Sequence, residues 1–374
     1  MHRKPFRHRR ALPLLLLAAC GGDSTGPSGG GPAGSDLFLG GDISALARVE
    51  QSGVNLRAGS TEGAIQALMA RGSNGFRLRI FVDPNHTEVQ VNDLPYTVAL
   101  AQRVVDAGAE LMLDFHYSDT WADPGKQYIP AAWVGMGIAE LEQQVEDYTE
   151  HVIAQLKAAG ALPDVVQIGN EIDSGLLWPI GRIGGSYDAQ VNYDNFGRLL
   201  RAGVRGVRNA TVPGDSVRIL IHYSGGGNQS GTRWFFDHVQ AQNVDYDIIG
   251  LSYYPWWHGS LSALEANLAA TAARYDKDVM VVETHYPWRG GWTPPGSSGT
   301  GWQAWPLSPA GQAAFLRDVI DAVEAVPDDR GKGVVWWYPE AVNVQGLAVY
   351  GDGAIALFGA TGDALPAAAV FGEY

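Results

Sequence analysis

One arrangement recurs along residues 38–340: a short apolar run, a loop rich in Trp, His, Asp or Gly, and an Ala-rich stretch with helical spacing. In the Ala-rich stretches, apolar residues return every three or four positions, as in amphipathic helices. The apolar runs are short and rich in β-branched residues, and they predict strands. The eight predicted strands lie at residues 38–44, 75–82, 109–117, 164–172, 216–224, 247–255, 278–286 and 332–340.

Eight alternating strand and helix units predict an α/β fold, a (β/α)8 TIM barrel formed by a single domain over residues 37–374. An open doubly wound sheet is the alternative. No Gly-x-Gly-x-x-Gly follows the first predicted strand, which disfavours a nucleotide-binding version of that sheet. Side chains at the carboxyl ends of barrel strands emerge into a shared mouth. Polar residues that follow the predicted strands are therefore the candidates for a functional site.

The N-terminus has the order of an export signal, with five cations and no acid before an apolar run that ends on Cys20. The run is too short to span a bilayer. Its end, Leu-Ala-Ala-Cys, resembles the lipobox of bacterial lipoproteins, which implies a signal peptide at residues 1–19 and a lipid on Cys20; an ordinary secretion signal is the alternative. Residues 20–36, rich in Gly, Ser and Pro, predict a flexible lipid-anchored tether. By the same resemblance, Gly21 and Gly22 favour the outer membrane or the cell surface over the inner membrane.

The net charge and the cysteine content of the chain limit the classes of partner and cofactor that it is expected to bind. The formal net charge is −14, and such a surface repels nucleic acid and anionic polymers, so a neutral partner is expected. Membrane contact is expected only through the lipid on Cys20. A single cysteine excludes an internal disulfide. No Cys/His cluster predicts zinc, and no Gly-x-x-x-x-Gly-Lys loop predicts phosphate chemistry, so we expect no metal and no cofactor.

Two glutamates follow predicted strands four and seven. Glu171 comes after the run at residues 165–168 and Asn170, and Glu283 comes after the run at residues 279–282. Glycoside hydrolysis needs such a pair across a mouth lined by polar and aromatic residues: one carboxyl protonates the leaving oxygen, and the other attacks the anomeric carbon or activates water. A salt-bridged structural role is the alternative for either glutamate alone. The matched positions of the two favour catalysis.

Several segments resemble glycoside hydrolase family 53, the arabinogalactan endo-β-1,4-galactanases, which belong to a clan of retaining (β/α)8 glycosidases. The most specific are HYSDTWADP at residues 116–124, SYYPWWHG at residues 252–259 and VVETHYPW at residues 281–288. The resemblance covers almost the whole of residues 39–368. It implies retaining endo-hydrolysis of β-1,4-galactosidic bonds in neutral galactan or type I arabinogalactan, by double displacement with two glutamates. We expect a monomer.

Residue roles follow from the resemblance. It implies that Glu171 is the acid/base, that Glu283 is the nucleophile, and that Asn170 bonds the sugar 2-hydroxyl in the transition state. It also implies that Tyr253 meets the nucleophile. Arg77 and Arg79 share one strand face, so their spacing alone does not show which one lowers the pKa of the nucleophile; the resemblance favours Arg79.

Aromatic and polar residues at strand ends are candidates for sugar binding, because a flat ring stacks on a pyranose and polar groups bond its hydroxyls. Plain packing is the alternative for each ring, and His222 is either a partner of the glutamates or a structural histidine. The acid of the eighth strand, Glu340 in WWYPEAV, is displaced from the family pattern and its role is open. The candidates are His116, Asp119, Trp121, Asp123, Trp257, His258, Trp288 and Trp337.

The sequence also bears on a calcium site and leaves two alternative functions open. Residues 284–306 contain no acidic residue, so we expect no calcium ion in that loop. Another retaining endo-glycanase of the clan, such as a mannanase, xylanase or glucanase, is the first alternative. The second is a non-catalytic glycan-binding surface lipoprotein, which the intact pair of Glu171 and Glu283 disfavours.

Overall fold

The computed structural model describes residues 37–297 and 301–374. The predicted signal peptide, the lipid on Cys20 and the tether therefore lie outside the described residues. Eight parallel strands form a closed barrel, which confirms the predicted TIM barrel. The barrel strands are numbered here β1 Phe38–Asp42, β2 Gly75–Ile80, β3 Glu110–Phe115, β4 Val165–Ile168, β5 Arg218–Tyr223, β6 Ile248–Tyr253, β7 Asp278–Thr284 and β8 Gly331–Trp337.

Strand β1 closes the barrel by pairing in parallel with both β8 and β2. Every other strand pairs with its neighbours in chain order. Phe38 on β1 fills the bottom of the barrel, and a Cβ on Gly75 would lie 2.4 Å from its ring, so only glycine fits there. Two short antiparallel ribbons, Arg57–Ala58 with Thr61–Glu62 and Gly175–Leu176 with Gly181–Arg182, lie in loops outside the barrel.

Helices cover the outside of the barrel because each has an apolar stripe. On the fourth helix, for example, Leu141, Val145, Val152 and Leu156 are buried at spacings of four and seven residues, which place them on one face. Asp93 and Ser308 act as N-caps, each accepting a backbone N–H three residues later. Among the residues that the structure describes, no helix is long and apolar enough to cross a membrane. The helices are α1 Leu46–Glu50, α2 Ala64–Met69, α3 Leu94–Asp106, α4 Ile138–Ala158, α5 Gln190–Ala210, α6 Gln229–Ala241, α7 Pro255–His258, α8 Leu261–Tyr275 and α9 Pro309–Glu324.

The barrel interior changes from apolar to polar toward the carboxyl ends of the strands. A separate interior cluster contains Met112 on β3 and Leu220 on β5. Two residues further along, on the same strand faces, lie Asp114 and His222, both fully buried. The apolar layer thus closes the bottom of the barrel, and the layer above it is a floor of buried charged and polar groups.

A register shift places Glu283 in the mouth. Between β6 and β7 the pairing shifts after Leu251, so that Ser252 stands opposite Glu283. Val282 already belongs to the interior cluster, and in a regular strand its neighbour would point to the helices. An irregularity of this kind re-aims a side chain, and here it allows two consecutive residues of β7 to serve the interior.

Candidate active site

A cleft of about 660 Å³ opens at the carboxyl ends of the barrel strands. Both predicted catalytic glutamates line it, Glu171 just after β4 and Glu283 near the end of β7. Asn170 and Trp337 also line it. The structure therefore brings these four predicted site residues together in one cleft.

Arg77 is the cation that holds Glu283. Its Nη1 donates to Oε1 of Glu283 at 2.8 Å, and its Nη2 donates to Oδ1 of Asn170 at 2.7 Å and to Oδ2 of Asp114 at 2.8 Å. Nη1 also lies 3.1 Å from Oδ2 of Asp42. Burial raises the pKa of Glu283, and the Arg77 charge opposes that rise. This guanidinium thus orients the carboxylate and favours its ionised form.

The preference for Arg79 as the partner of the nucleophile is corrected. Arg79 lies two residues further along the same face of β2, closer to the mouth, and points at Tyr338 and Trp121. Its Nη2 donates to the Tyr338 hydroxyl at 3.1 Å, and its guanidinium carbon lies 4.2 Å from the Trp121 ring centroid. A rise of about 3.3 Å per residue separates the two arginines, so only Arg77 stands level with Glu283.

The expected contact between Tyr253 and Glu283 is also corrected, because the neighbouring residue Tyr254 makes it instead. The Tyr253 ring packs on Phe315 of α9, and its hydroxyl donates to the carbonyl of Gly259. The next residue, Tyr254, donates to Oε2 of Glu283 at 3.1 Å. Successive strand residues face opposite sides, so a shift of one residue moves the side chain from the cleft to the helices.

Glu171 occupies a different environment from Glu283. Burial raises its pKa well above the usual range, and the nearby charges of Glu283 and Asp173 add to the rise. Within the part of the chain that the structure describes, no Lys, Arg or His forms an ion pair with Glu171. Its Oε1 accepts the Ser252 hydroxyl at 2.6 Å. Glu171 has a φ of 45°, the left-handed region that few non-glycine residues adopt. Such strain is typical of functional sites and requires support from the surroundings.

His222 supplies part of that support. Its Nδ1 accepts the Glu171 backbone N–H at 3.3 Å, and its Nε2 lies 2.9 Å from Oγ of Ser252. Burial lowers the pKa of His222 well below its usual value, so the ring is neutral. With Nδ1 as acceptor, the neutral ring carries its proton on Nε2, donates to Ser252, and Ser252 donates in turn to Glu171. His222 thus positions Glu171, directly through its backbone and indirectly through Ser252.

His116 also uses both ring nitrogens within the protein. Its Nε2 lies 3.1 Å from Oδ2 of Asp114, and its Nδ1 accepts the Ala122 N–H at 3.0 Å. Burial raises the pKa of Asp114, but Arg77 and His116 hold it below the usual value. His116 lines the cleft, and its two ring nitrogens are bonded to Asp114 and to the backbone of Ala122 in the floor of the site.

The remaining candidates for sugar binding form two groups, those that line the cleft and those that do not. Trp121, Asp123, Trp257 and Trp337 line the cleft. Three others have loop-supporting contacts and do not line it: Asp119 accepts the N–H groups of Asp83 and Ala131, Trp288 donates to the carbonyl of Gly353, and His258 accepts the N–H of Tyr254. Within residues 37–297 and 301–374, no group of three or more His, Cys, Asp or Glu is arranged to hold a metal ion.

His285 lines the cleft and was missed by the sequence interpretation. Its ring is buried among Tyr254, Trp256, Trp337 and other rings, and neither ring nitrogen has a hydrogen-bond partner among the described residues. Burial lowers its pKa well below the usual value, so the ring is neutral. An orphaned buried imidazole is costly unless a ligand completes it. Its position two residues after Glu283, on a strand that enters the mouth, was the available signal.

Glu340 is fully buried outside the cleft, which answers the open question about its role. Its Oε1 accepts the Ala45 N–H at 2.9 Å, which ties the end of β8 to the loop after β1. Burial, helped by the charge of Asp42, raises the pKa of Glu340 to about 8. The carboxyl is therefore protonated at neutral pH and supports the barrel rather than the reaction.

Replacing Glu340 by Gln is expected to stabilise the protein at alkaline pH. The folded protein keeps a proton that the unfolded chain releases above pH 4.5, so Glu340 makes the free energy of unfolding fall as pH rises from 4.5 to about 8. Each unit of pKa shift corresponds to about 1.4 kcal/mol. Glutamine keeps the acceptor for Ala45 and removes this penalty, so Tm should rise by several degrees at the alkaline end and should match wild type in acid. Thermal unfolding followed across this pH range tests it; a difference that does not depend on pH would contradict it.

Comparison with known proteins identifies the family and supports the fold. The family model for glycosyl hydrolase family 53 matches residues 38–371. The arabinogalactan endo-β-1,4-galactanase A of Aspergillus niger is 36% identical over 348 residues, which are 90% of this chain and 90% of that protein. The solved family-53 catalytic domain of Ignisphaera aggregans superposes with a TM-score of 0.81 at 31% identity, covering 92% of this chain and 98% of its own. A solved fungal β-1,4-galactanase gives a TM-score of 0.79 at 32% identity, covering 90% and 99%.

Proposed function

Because the chain belongs to glycosyl hydrolase family 53 and is a glycoside hydrolase, we propose that it hydrolyses β-1,4-galactosidic bonds. The proposed substrate is galactan or arabinogalactan, cleaved at internal bonds with net retention. The observation that carries the proposal is the contrast between two carboxyls in one cleft. Glu283 is paired with Arg77, whereas burial and neighbouring acids raise the pKa of Glu171. Two carboxyls whose surroundings differ in this way divide the roles of nucleophile and acid.

The reaction has two displacements. In the first, the ionised Glu283 attacks the anomeric carbon, the bond to the leaving oxygen breaks, and Glu171 gives that oxygen its proton. In the second, Glu171, now ionised, takes a proton from water as the water attacks the same carbon and releases Glu283. Arg77 and Tyr254 hold Glu283 by separate oxygens, which fixes the carboxylate for attack.

The rest of the cleft is suited to a neutral sugar chain. Trp337 and Trp121 offer flat faces for pyranose rings, and their rings lie 6.3 Å apart at an angle of 73°. Asn170 accepts from Arg77 through Oδ1 and donates through Nδ2 to the carbonyl of Ala122, so its orientation is fixed. His285 presents neutral nitrogens that suit hydroxyl groups. The two tryptophans offer apolar faces, and Asn170 and His285 offer hydrogen-bonding groups. None of these side chains carries a charge.

The proposal is tested by reducing-sugar release on β-1,4-galactan beside mannan, xylan and β-glucan. We expect activity on galactan alone, with the β-anomer as first product by NMR, and loss of activity in Glu171→Gln by about 10²–10⁴-fold. Glu340→Gln is the matched control, since it makes the same replacement at another buried glutamate, one that does not line the cleft. Activity on a different glycan would overturn the substrate, an inverted product would overturn the mechanism, and binding without turnover would favour a glycan-binding protein.

A further inference from the structure

One wall of the cleft is formed by the β8 loop, residues 338–365, which follows strand β8. Ala348, Val349 and Tyr350 of this loop line the cleft. The Tyr350 ring packs against Trp337, with 5.2 Å between the ring centroids, and its centroid lies 5.9 Å from that of His285. Trp337 and His285 also line the cleft, so the shape of the cleft there depends on where the β8 loop is held.

The backbone that directly follows this wall contains three consecutive left-handed residues. Gly351, Asp352 and Gly353 have φ angles of 83°, 49° and 75°. A residue other than glycine rarely adopts this conformation, and it persists only where the surroundings support it. A Cβ on Gly353 would lie 2.7 Å from the backbone nitrogen of Asn343, so only glycine fits there. Contacts from another part of the chain are therefore expected to hold this segment.

Two residues of the loop after β7 provide these contacts. The backbone N–H of Trp288 donates to the carbonyl of Ala354 at 2.8 Å, and its indole N–H donates to the carbonyl of Gly353 at 2.8 Å. Nη2 of Arg289 donates to the carbonyl of Asp352 at 2.6 Å. Three consecutive carbonyls of the β8 loop are thus held by three donors on two consecutive residues.

Arg289 is the charged member of this pair. Its guanidinium carbon lies 5.6 Å from the centroid of the Trp288 ring, so the two side chains lie against each other. In the described part of the chain, the Arg289 side chain donates to two backbone carbonyls, those of Asp352 and Gly290. A hydrogen bond from a charged donor is about twice as strong as a neutral one. Arg289 is thus suited to holding the backbone of the β8 loop.

We propose that Trp288 and Arg289 are positioning residues that hold the β8 loop as a fixed wall of the cleft. They act on the substrate through Tyr350 and its neighbours in the wall and do not touch the substrate themselves. Trp288, a candidate for sugar binding by sequence, thus acts through the loop. The inference rests on the proposed function and adds two residues outside the cleft that set the affinity for the sugar chain.

The expected kinetic effect follows from the contacts that hold the two glutamates. Arg77 and Tyr254 donate to the carboxylate of Glu283. Ser252 donates to the carboxyl of Glu171. These donors lie on β2, on β6 and directly after β6, away from the β8 loop. A displaced β8 loop should therefore weaken substrate binding and leave the chemical step unchanged, which raises KM at constant kcat.

The test measures KM and kcat on β-1,4-galactan in variants of this contact. Arg289→Ala removes the charged donor and should raise KM roughly tenfold, with kcat within about twofold of wild type. Arg289→Lys keeps a cationic donor for the carbonyl of Asp352 and should recover most of the affinity. Gly353→Ala disturbs the same contact from the β8 loop and should raise KM in the same direction. Hydrogen exchange at the amides of residues 342–356 should be faster in Arg289→Ala than in wild type.

Arg274→Ala is the matched control for Arg289→Ala. Arg274 is a partly exposed arginine on α8 that pairs with Asp237 of α6 and does not line the cleft. Its replacement should leave KM, kcat and the exchange of residues 342–356 as in wild type.

Four results would overturn the inference. An unchanged KM in both Arg289→Ala and Gly353→Ala would do so and leave the galactanase proposal intact. A fall in kcat at unchanged KM would also do so, since the pair would then act on the chemical step. Equal exchange rates in wild type and Arg289→Ala would show that Arg289 does not hold the β8 loop. A wild-type enzyme that does not cleave galactan would overturn the proposed function and this inference with it.

Discussion

Replacing Glu283 by Gln is expected to lower kcat on galactan by on the order of 10⁴–10⁶-fold, the range found when an enzyme loses one member of a covalent catalytic unit. An amide does not form the glycosyl ester that double displacement requires. Glutamine keeps an oxygen acceptor for Arg77, and its amide nitrogen then faces the Tyr254 hydroxyl, which can accept a hydrogen bond from it. The cleft should therefore keep its shape, and galactan should still bind.

Rate measurements under single-turnover conditions, with binding followed separately by calorimetry, distinguish lost chemistry from lost binding. A retained affinity with an absent turnover is the expected pattern. A loss smaller than about a hundredfold in this variant would contradict the role of Glu283, because even a positioned acid or base contributes about that much. Azide offers a further check in Glu283→Ala: a small anion that fits the vacated space should give an α-linked galactosyl azide.

Arg77→Lys is expected to shift the acid limb of the pH–rate profile to higher pH and to destabilise the fold. Glu283 must be ionised to attack, and Arg77 lowers its pKa against the effect of burial. Loss of the planar fork therefore raises the pKa of Glu283, so a higher pH is needed to ionise it. Lysine also leaves several of the four partners of Arg77 unsatisfied, at a cost of about 2–5 kcal/mol.

Arg79→Lys is the matched comparison for Arg77→Lys. Arg79 lies on the same strand face and is as buried, but it contacts Tyr338 and Trp121 instead of Glu283. The Arg79→Lys variant should therefore have a lower Tm than wild type, and the acid limb of its pH–rate profile should not move. The comparison uses kcat/KM measured across pH together with thermal unfolding. A shift of the acid limb in Arg79→Lys and none in Arg77→Lys would reverse the assignment.

The sequence predicted the barrel and the pair of glutamates in its mouth for the same physical reason. A strand buried on both faces reads as an apolar run, and charge directly after it marks the mouth. Glu171 and Glu283 are visible in this way. The register shift that turns Glu283 inward is not, because it depends on how β6 and β7 pair and not on the residues of β7 alone. The same limit explains why Tyr253 was chosen and Tyr254 makes the contact.

Polar residues after strands were the least predictable part of the site. Such a residue either faces the substrate or satisfies the backbone of the loop it belongs to, and composition does not distinguish the two. Asp119 and Trp288 proved to bond loop backbone, whereas Asp123 lines the cleft. Gln167 was not considered because it lies within an apolar run, yet it donates to Asp114 at 2.6 Å in the floor of the site.

The pairing of β1 with β8 has a consequence for how the chain folds. The hydrogen bond from Ala45 to Glu340 joins residues 295 positions apart, and Arg77 on β2 reaches Glu283 on β7, 206 positions away, across the closed barrel. Contacts of such long sequence separation form late and slowly, because the intervening loop must close first. A nascent chain therefore has no complete nucleophile site until its last strand has been synthesised and docked. Recovery of hydrolysis during refolding should accordingly lag behind recovery of the helical circular dichroism signal. The time at which activity returns would then mark the closure of the barrel.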